Sequence, residues 1–142
     1  MTGGSCKALT ELPEPARAIV DSARRAVLAT LDRRGRPHLV PVCYAVRRAE
    51  LVSAIDDKPK ATTRLARVAN IEREPSATML VDRWDEDWTR LGWVMLRGRA
   101  EIRAEGSADD ELARRYPQYR DAPPRGPVIA LVPDAIRWWT SA

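Results

Sequence analysis

The chain has 142 residues, enough for one domain with a sizeable interior and with no room for a second. Hydrophobic residues make up 44% and charged residues 31%, an ordinary balance for a soluble protein, and no apolar run approaches the roughly 20 residues of a membrane span. The formal charge of +4 comes largely from arginine, whose planar fork suits phosphate and carboxylate oxygens, although an Arg-rich, Ala-rich chain without Phe also fits a GC-rich genome. The first residues, 1 to 7, lack the apolar core of a secretory signal, which points to the cytoplasm. Cys6, Cys43 and the single histidine, His38, make neither a disulfide framework nor a metal set, so no metal site is expected.

Residues 1–12 read as a loose N-terminus of a single domain spanning 1–142. After Pro13 and Pro15, the residues Ala16, Ile19, Val20 and Ala23 fall on one face at helical spacing and predict a short capping helix. Val27 to Leu31 reads as a strand, Asp32-Arg33-Arg34-Gly35 as a turn, and Arg36 to Val46 as a second strand. Arg47 to Glu50 turns the chain into a third strand, Leu51 to Ile55, in meander order. Thr62 is placed to cap a helix running to Ile71, with Leu65, Val68 and Ala69 as its apolar stripe. Glu74-Pro75 ends it, Ala77 to Asp82 returns to strand, and the acidic stretch from Arg83 to Trp88 is a loop or lid.

From Leu91 to Arg103 the pattern alternates over the longest strand, with Val94, Leu96, Gly98, Ala100 and Ile102 on one face. Gly98 within it suggests a bend or bulge, because a Cβ would clash there. Ser107 and Asp110 stand as a capping box ahead of a helix to Tyr116, and two further strands follow, Val128 to Val132 and Ala135 to Trp139. Many short strands with few helices point to a mainly β (α+β) fold that closes its own edges.

Lys58, Lys60, Arg64 and Arg67 gather cations at a strand-to-helix junction. A helix start with cations beside it can cradle a phosphate, and the same charges also suit a solvated helix face. The five tryptophans, Trp84, Trp88, Trp93, Trp138 and Trp139, could wall a groove for a flat ring or pack in a core or interface. His38, Tyr44 and Ser53 could each hydrogen-bond a ligand or supply a proton, or be ordinary strand residues. Pro41 gives up a ladder N–H, so its strand should face a groove or an edge at that point. The chain has neither a glycine-rich dinucleotide fingerprint nor a Walker-type phosphate loop, so a redox cofactor would have to bind in another way.

The order of Val27-Leu28-Ala29-Thr30-Leu31, Arg34-Gly35-Arg36-Pro37-His38-Leu39-Val40-Pro41-Val42, Lys58-Pro59-Lys60 to Asn70-Ile71, Glu74-Pro75-Ser76-Ala77 and Leu96-Arg97-Gly98-Arg99-Ala100-Glu101 resembles the pyridoxamine 5′-phosphate oxidase-like split β-barrel superfamily. Within it, the chain is most similar to the branch that uses the deazaflavin coenzyme F420. The resemblance implies a six-to-seven-stranded antiparallel split β-barrel with short flanking helices, paired into a homodimer with cofactor sites at the interface. Carried over, it assigns the cofactor phosphate to Lys58, Lys60 and Arg67 and the ring system to Val40, Pro41, Val42, Ser53 and Ala54.

Family members that oxidise vitamin B6 carry Arg-x-x-Leu-Leu-Lys and Tyr-Thr-Asn patterns for FMN. Here Val40, Cys43, Tyr44 and Ala45 and then Ser53, Ala54 and Ile55 stand in those places, which argues against that activity and removes several FMN contacts. The function the resemblance implies is an F420-dependent oxidoreductase passing a hydride from reduced cofactor to a small activated substrate. The alternatives are an FMN-binding oxidoreductase of the same fold and a cofactor-binding protein without turnover. Nucleic acid is not an expected partner, because the arginines are scattered among acids.

Overall fold

The computed structural model describes residues 2–55, 65–104, 106–124 and 126–141. Alternation of apolar side chains builds the first hairpin. In β2 (Ala26–Leu31) the side chains of Ala26, Leu28 and Thr30 are buried and those between them face outward. The turn after it is held by Asp32, whose Oδ1 accepts from the amides of Arg34 and Arg36, and by Gly35 at a φ of +75°. The chain returns as β3 (Pro37–Val42), antiparallel to β2 from Ala26–Val42 to Leu31–Pro37.

The second strand, expected to run from 36 to 46, is broken at Cys43 and Tyr44. It resumes as β4 (Ala45–Arg47), which the turn Arg48–Ala49 joins to β5 (Glu50–Ala54). The break has a packing cause: Tyr44 is 0% exposed and its hydroxyl donates to the Val20 carbonyl at 2.5 Å, so the chain bends inward there.

With β6 (Ser76–Arg83), β7 (Gly92–Arg103) and β8 (Val128–Thr140), the sheet runs in the order β3-β2-β6-β7-β8-β5-β4, every neighbour antiparallel. The first and last strands of that order are consecutive in the chain with only Cys43 and Tyr44 between them, so the sheet has to curl until its ends meet. The expected antiparallel split barrel with short flanking helices is the observed fold.

Within residues 1–12, expected to be loose, the described residues 2–12 carry structure instead. Thr2–Cys6 form β1 on β8, from Thr2–Thr140 to Cys6–Ile136, and Leu9 and Leu12 are buried. The reason lies in β8. Its first half pairs with β7 and β5, but beyond Leu131 the β5 side is open, and β1 occupies that edge.

The two final strands expected from the sequence are one. Its register against β7 skips Asp134 between the pairs Arg97–Ala135 and Gly98–Pro133. Gly98 makes the bulge possible, since a Cβ there would run into the Val132 carbonyl.

Helix α1 (Ala16–Ser22) buries Ala16, Ile19 and Val20 as its spacing predicts. The described part of the next helix, α2 (Ala66–Arg73), begins after Leu65, so the proposed cap Thr62 lies outside the described residues. Asn70 ties α2 to the sheet by donating to Thr30 Oγ1 at 3.0 Å, and Arg73 donates to the Leu31 carbonyl. α3 (Asp109–Arg115) is the helix expected to run to Tyr116, and α4 (Pro117–Asp121) follows it where none was expected. Ser107 is not the cap: its hydroxyl is buried without a hydrogen-bond partner among the described residues, and the cap position falls one residue later, at Ala108, which shares a buried cluster with Leu112 and Tyr116.

The barrel interior is filled by residues such as Leu28, Val42, Leu51, Met79, Leu96 and Ile136, and a second cluster packs Val52, Ala54 and Val128 beneath α3. Among the described residues no helix is long and apolar enough to cross a membrane.

Candidate functional site

The open edge of β3 is set by its ladder. The Asp32 amide donates to the Arg36 carbonyl at 2.9 Å. Alternation from there makes Thr30–His38, Leu28–Val40 and Ala26–Val42 the pairs that exchange backbone hydrogen bonds. The backbones of Pro37, Leu39 and Pro41 therefore point away from β2, on the side where β3 has no strand neighbour among the described residues. Two of these residues have no N–H, so the edge offers three carbonyls and a single donor, the Leu39 amide. Pro41 thus lies on an edge, in agreement with the sequence reading. Leu39 carried no expectation. Its signal is the Pro-x-x-x-Pro spacing from 37 to 41, which blunts one edge on both sides of it.

Side chains alternate on the same strand. Pro37, Leu39 and Pro41 are exposed, His38 and Val40 are half-buried, and Val42 enters the core. His38 Nδ1 is buried without a hydrogen-bond partner among the described residues. Beside Pro37 a cleft of about 480 Å³ opens over the outer face of β2, β6 and β7, lined by Ala29, Thr78, Arg97, Arg99 and Asp134 among others. Its size is that of small-molecule sites, and two guanidinium groups give it a positive side.

The remaining site residues are spread wider. Arg67 sits half-buried in the first turn of α2, and Lys58 and Lys60 lie outside the described residues. Val40, Pro41 and Val42 share β3, whereas Ser53 and Ala54 are on β5, toward the other end of the sheet order. Ser53 is 1% exposed on the strand face that Leu51 turns into the barrel, and Ala54 packs on the opposite face beneath α3.

Tyr44, read as a possible proton donor, is a structural pin. Its hydroxyl is committed to the Val20 carbonyl, and its amide donates to the Tyr116 hydroxyl at 3.1 Å. The Tyr116 hydroxyl in turn reaches the carbonyls of Arg24 and Tyr44, and the Arg115 guanidinium stacks 4.7 Å from the Tyr44 ring centroid. Burial pushes the Tyr44 phenol up to about 12, against which nearby Arg115 acts only in part.

The tryptophans divide. Trp138 is buried, Trp93 and Trp139 are cross-strand neighbours, and Trp84 and Trp88 stand 66% and 67% exposed, edge to face at 6.5 Å. Their loop is held by Asp87, which accepts from the amide and hydroxyl of Thr89, and by an Asp85–Arg90 ion pair at 3.5 Å. The Thr89 hydrogen bonds hold the Asp87 carboxyl below the usual carboxylate range.

The fold is similar to a conserved hypothetical protein from Mycobacterium tuberculosis, at 25% identity over 87% of this chain and 81% of that one, TM-score 0.70. It is also similar to an FAD-binding protein from Mesorhizobium loti, at 16% identity over 99% and 100% of the two chains, TM-score 0.67. A structure named F420 reductase matches at 23% identity over 88% and 98%, TM-score 0.67. A search of curated proteins gives no match. The sequence pattern of the family described as pyridoxamine 5′-phosphate oxidase matches residues 12–140. That span takes in both ends of the barrel and the β3 edge, and the chain belongs to the pyridoxamine 5′-phosphate oxidase family.

Proposed function

We propose that the protein is an oxidoreductase that binds a flavin-type cofactor along the open edge of β3 and acts, as a homodimer, on a small-molecule substrate. The observation that carries this reading is the edge itself, with the Leu39 amide set among the carbonyls of Pro37, Leu39 and Pro41. A flat heterocycle bearing ring carbonyl and N–H groups finds donors and acceptors of both kinds there, and the prolines keep another strand from taking its place. The positive cleft beside Pro37 adds room for a planar ligand.

In this reading Arg67, with Lys58 and Lys60, holds the cofactor phosphate at the start of α2, where helix dipole and guanidinium act together. Val40 and Val42 pack against the ring from the barrel side, and Ser53 and Ala54 support the wall behind them without touching the ligand. The bound cofactor supplies two-electron hydride transfer. His38, with Nδ1 unpartnered among the described residues, is the titratable side chain of β3 that can hold a proton close to the edge. Pro41, Val27, Leu80 and Met95 form a row across four strands on the outer face. With Leu39 60% and Leu80 40% exposed, this surface suits coverage by a second copy.

F420 is the finer reading, favoured by the likeness to the structure named F420 reductase along 98% of that chain and by the absent FMN patterns. FMN is the alternative, favoured by the end-to-end likeness to the FAD-binding protein. Fluorescence titration of the wild type, Lys60→Ala and Arg67→Ala with F420 and with FMN decides between them. Binding of one cofactor, weakened about tenfold in each variant, is the expected result. Binding of neither cofactor refutes the reading, and binding without reduction of any substrate leaves a carrier.

A further inference from the structure

We infer that the groove between α1, α3 and the β4–β5 turn is a second anion site, one that takes a phosphate-bearing small molecule. The groove has a volume of about 770 Å³ and is lined by five arginines, Arg17, Arg24, Arg48, Arg114 and Arg115, against two carboxylates, Asp21 and Glu111. None of the β3, β5 or α2 residues assigned to the cofactor lines it.

Both carboxylates already have partners. Asp21 pairs with Arg17 at 3.1 Å, and Glu111 faces Arg47 at 4.0 Å. Four guanidinium charges on the groove wall are left without a carboxylate among the described residues. Two of them are fixed in place: Arg115 donates to the carbonyls of Asp21 and Ala23 and lies against the Tyr44 and Tyr116 rings. Arg24 donates to the Arg115 carbonyl at 2.5 Å and sits 4.8 Å from the Tyr116 ring centroid. Backbone carbonyls and ring faces orient these groups without neutralising them, so the positive field is built in before any ligand arrives. Arg48 and Arg114 are exposed and their guanidinium groups have neither a carboxylate nor a ring partner among the described residues, which leaves their forks open to phosphate oxygens.

Arg48 carries the strongest sign. It is the first residue of the two-residue turn between β4 and β5, with a φ of +55°. That position in a tight hairpin favours glycine, because a Cβ is strained there. The chain keeps an arginine at a conformational cost, in a place where its side chain overlooks the groove. A purely structural turn would gain by losing that side chain. A site that needs a fourth cation would not.

The geometry therefore yields a test in which stability and binding move in opposite directions. Calorimetric titration with inorganic pyrophosphate, with an oligoglutamate peptide in parallel, is run on full-length wild type, Arg48→Gly, Arg114→Ala and Lys60→Ala. Pyrophosphate should bind the wild type, and both groove variants should bind about tenfold more weakly. Arg48→Gly should melt at the wild-type temperature or above it, while Lys60→Ala should retain the groove binding. The inference is overturned if the groove variants bind as the wild type does, if only Lys60→Ala loses binding, or if the peptide binds more tightly than pyrophosphate. A lower melting temperature for Arg48→Gly would also overturn it, by showing that the arginine supports the turn.

Discussion

Residues 37–42 and residues 43–46 fall within one stretch of chain, 36–46, expected as one strand, yet they are held in opposite ways. The first half is an edge with a single strand neighbour, three exposed side chains and backbone groups turned outward. The second half is anchored by a phenol with no exposure, hydrogen-bonded to one carbonyl and stacked under a guanidinium. The contrast separates outward-turned backbone from barrel-closing side chain within one short stretch of chain. It also explains why a tyrosine so close to the edge takes no part in the proposed chemistry.

The largest effect should come from breaking the anchored half. Tyr44→Ala removes a fully buried ring and the hydroxyl's bond to the Val20 carbonyl, and urea unfolding should show a loss of about 3–5 kcal/mol. Next, Val40→Pro deletes an N–H that bonds to Leu28 across the ladder and should cost about 3 kcal/mol by the same measurement. Tyr44→Phe keeps the ring but leaves the Val20 carbonyl unmet, for about 1–2 kcal/mol.

That last variant also reads out proton linkage. The folded-state value of Tyr44 is raised from 10.0 to about 12, so its contribution to stability is complete below pH 10 and is lost as pH rises through that window. Wild-type melting temperature should drop between those pH values more than that of Tyr44→Phe, and equal slopes would remove the anchor from the comparison. The smallest effect on stability belongs to the open half. Leu39→Pro deletes an N–H that no strand among the described residues uses and should cost less than about 1 kcal/mol, while cofactor fluorescence should report weaker binding. A proline at 39 as damaging as one at 40 would show that the edge is not open.

Local pattern carried a large part of the fold. The alternation from Val94 to Ile102, the buried face of α1, the bulge at Gly98 and the edge position of Pro41 are each properties of a few neighbouring residues. Three readings failed for nonlocal reasons. β1 forms because β8 leaves an edge beyond Leu131, more than a hundred residues away. The strand at 36–46 breaks because Tyr44 finds Val20 and Tyr116. The cap falls at Ala108 instead of Ser107 because Ala108 joins the buried cluster that Val52, Ala54 and Val128 build on distant strands. Of the candidate site, Pro41 with Val40 and Val42 was legible as a strand facing an edge. The burial of Ser53 and Ala54 on opposite faces of β5 was not, because it depends on which elements cover the two faces.

By itself the sequence determined the strand faces, the hairpin turn at Asp32–Gly35, the capping helix and the family pattern, since these rest on side-chain period and turn chemistry within a few residues. Only the tertiary structure decided which strand ends stay open, which phenol is buried and which arginines share a groove. Each of those depends on groups brought together from distant parts of the chain as the seven-strand path curls and its first and last strands meet at Cys43 and Tyr44.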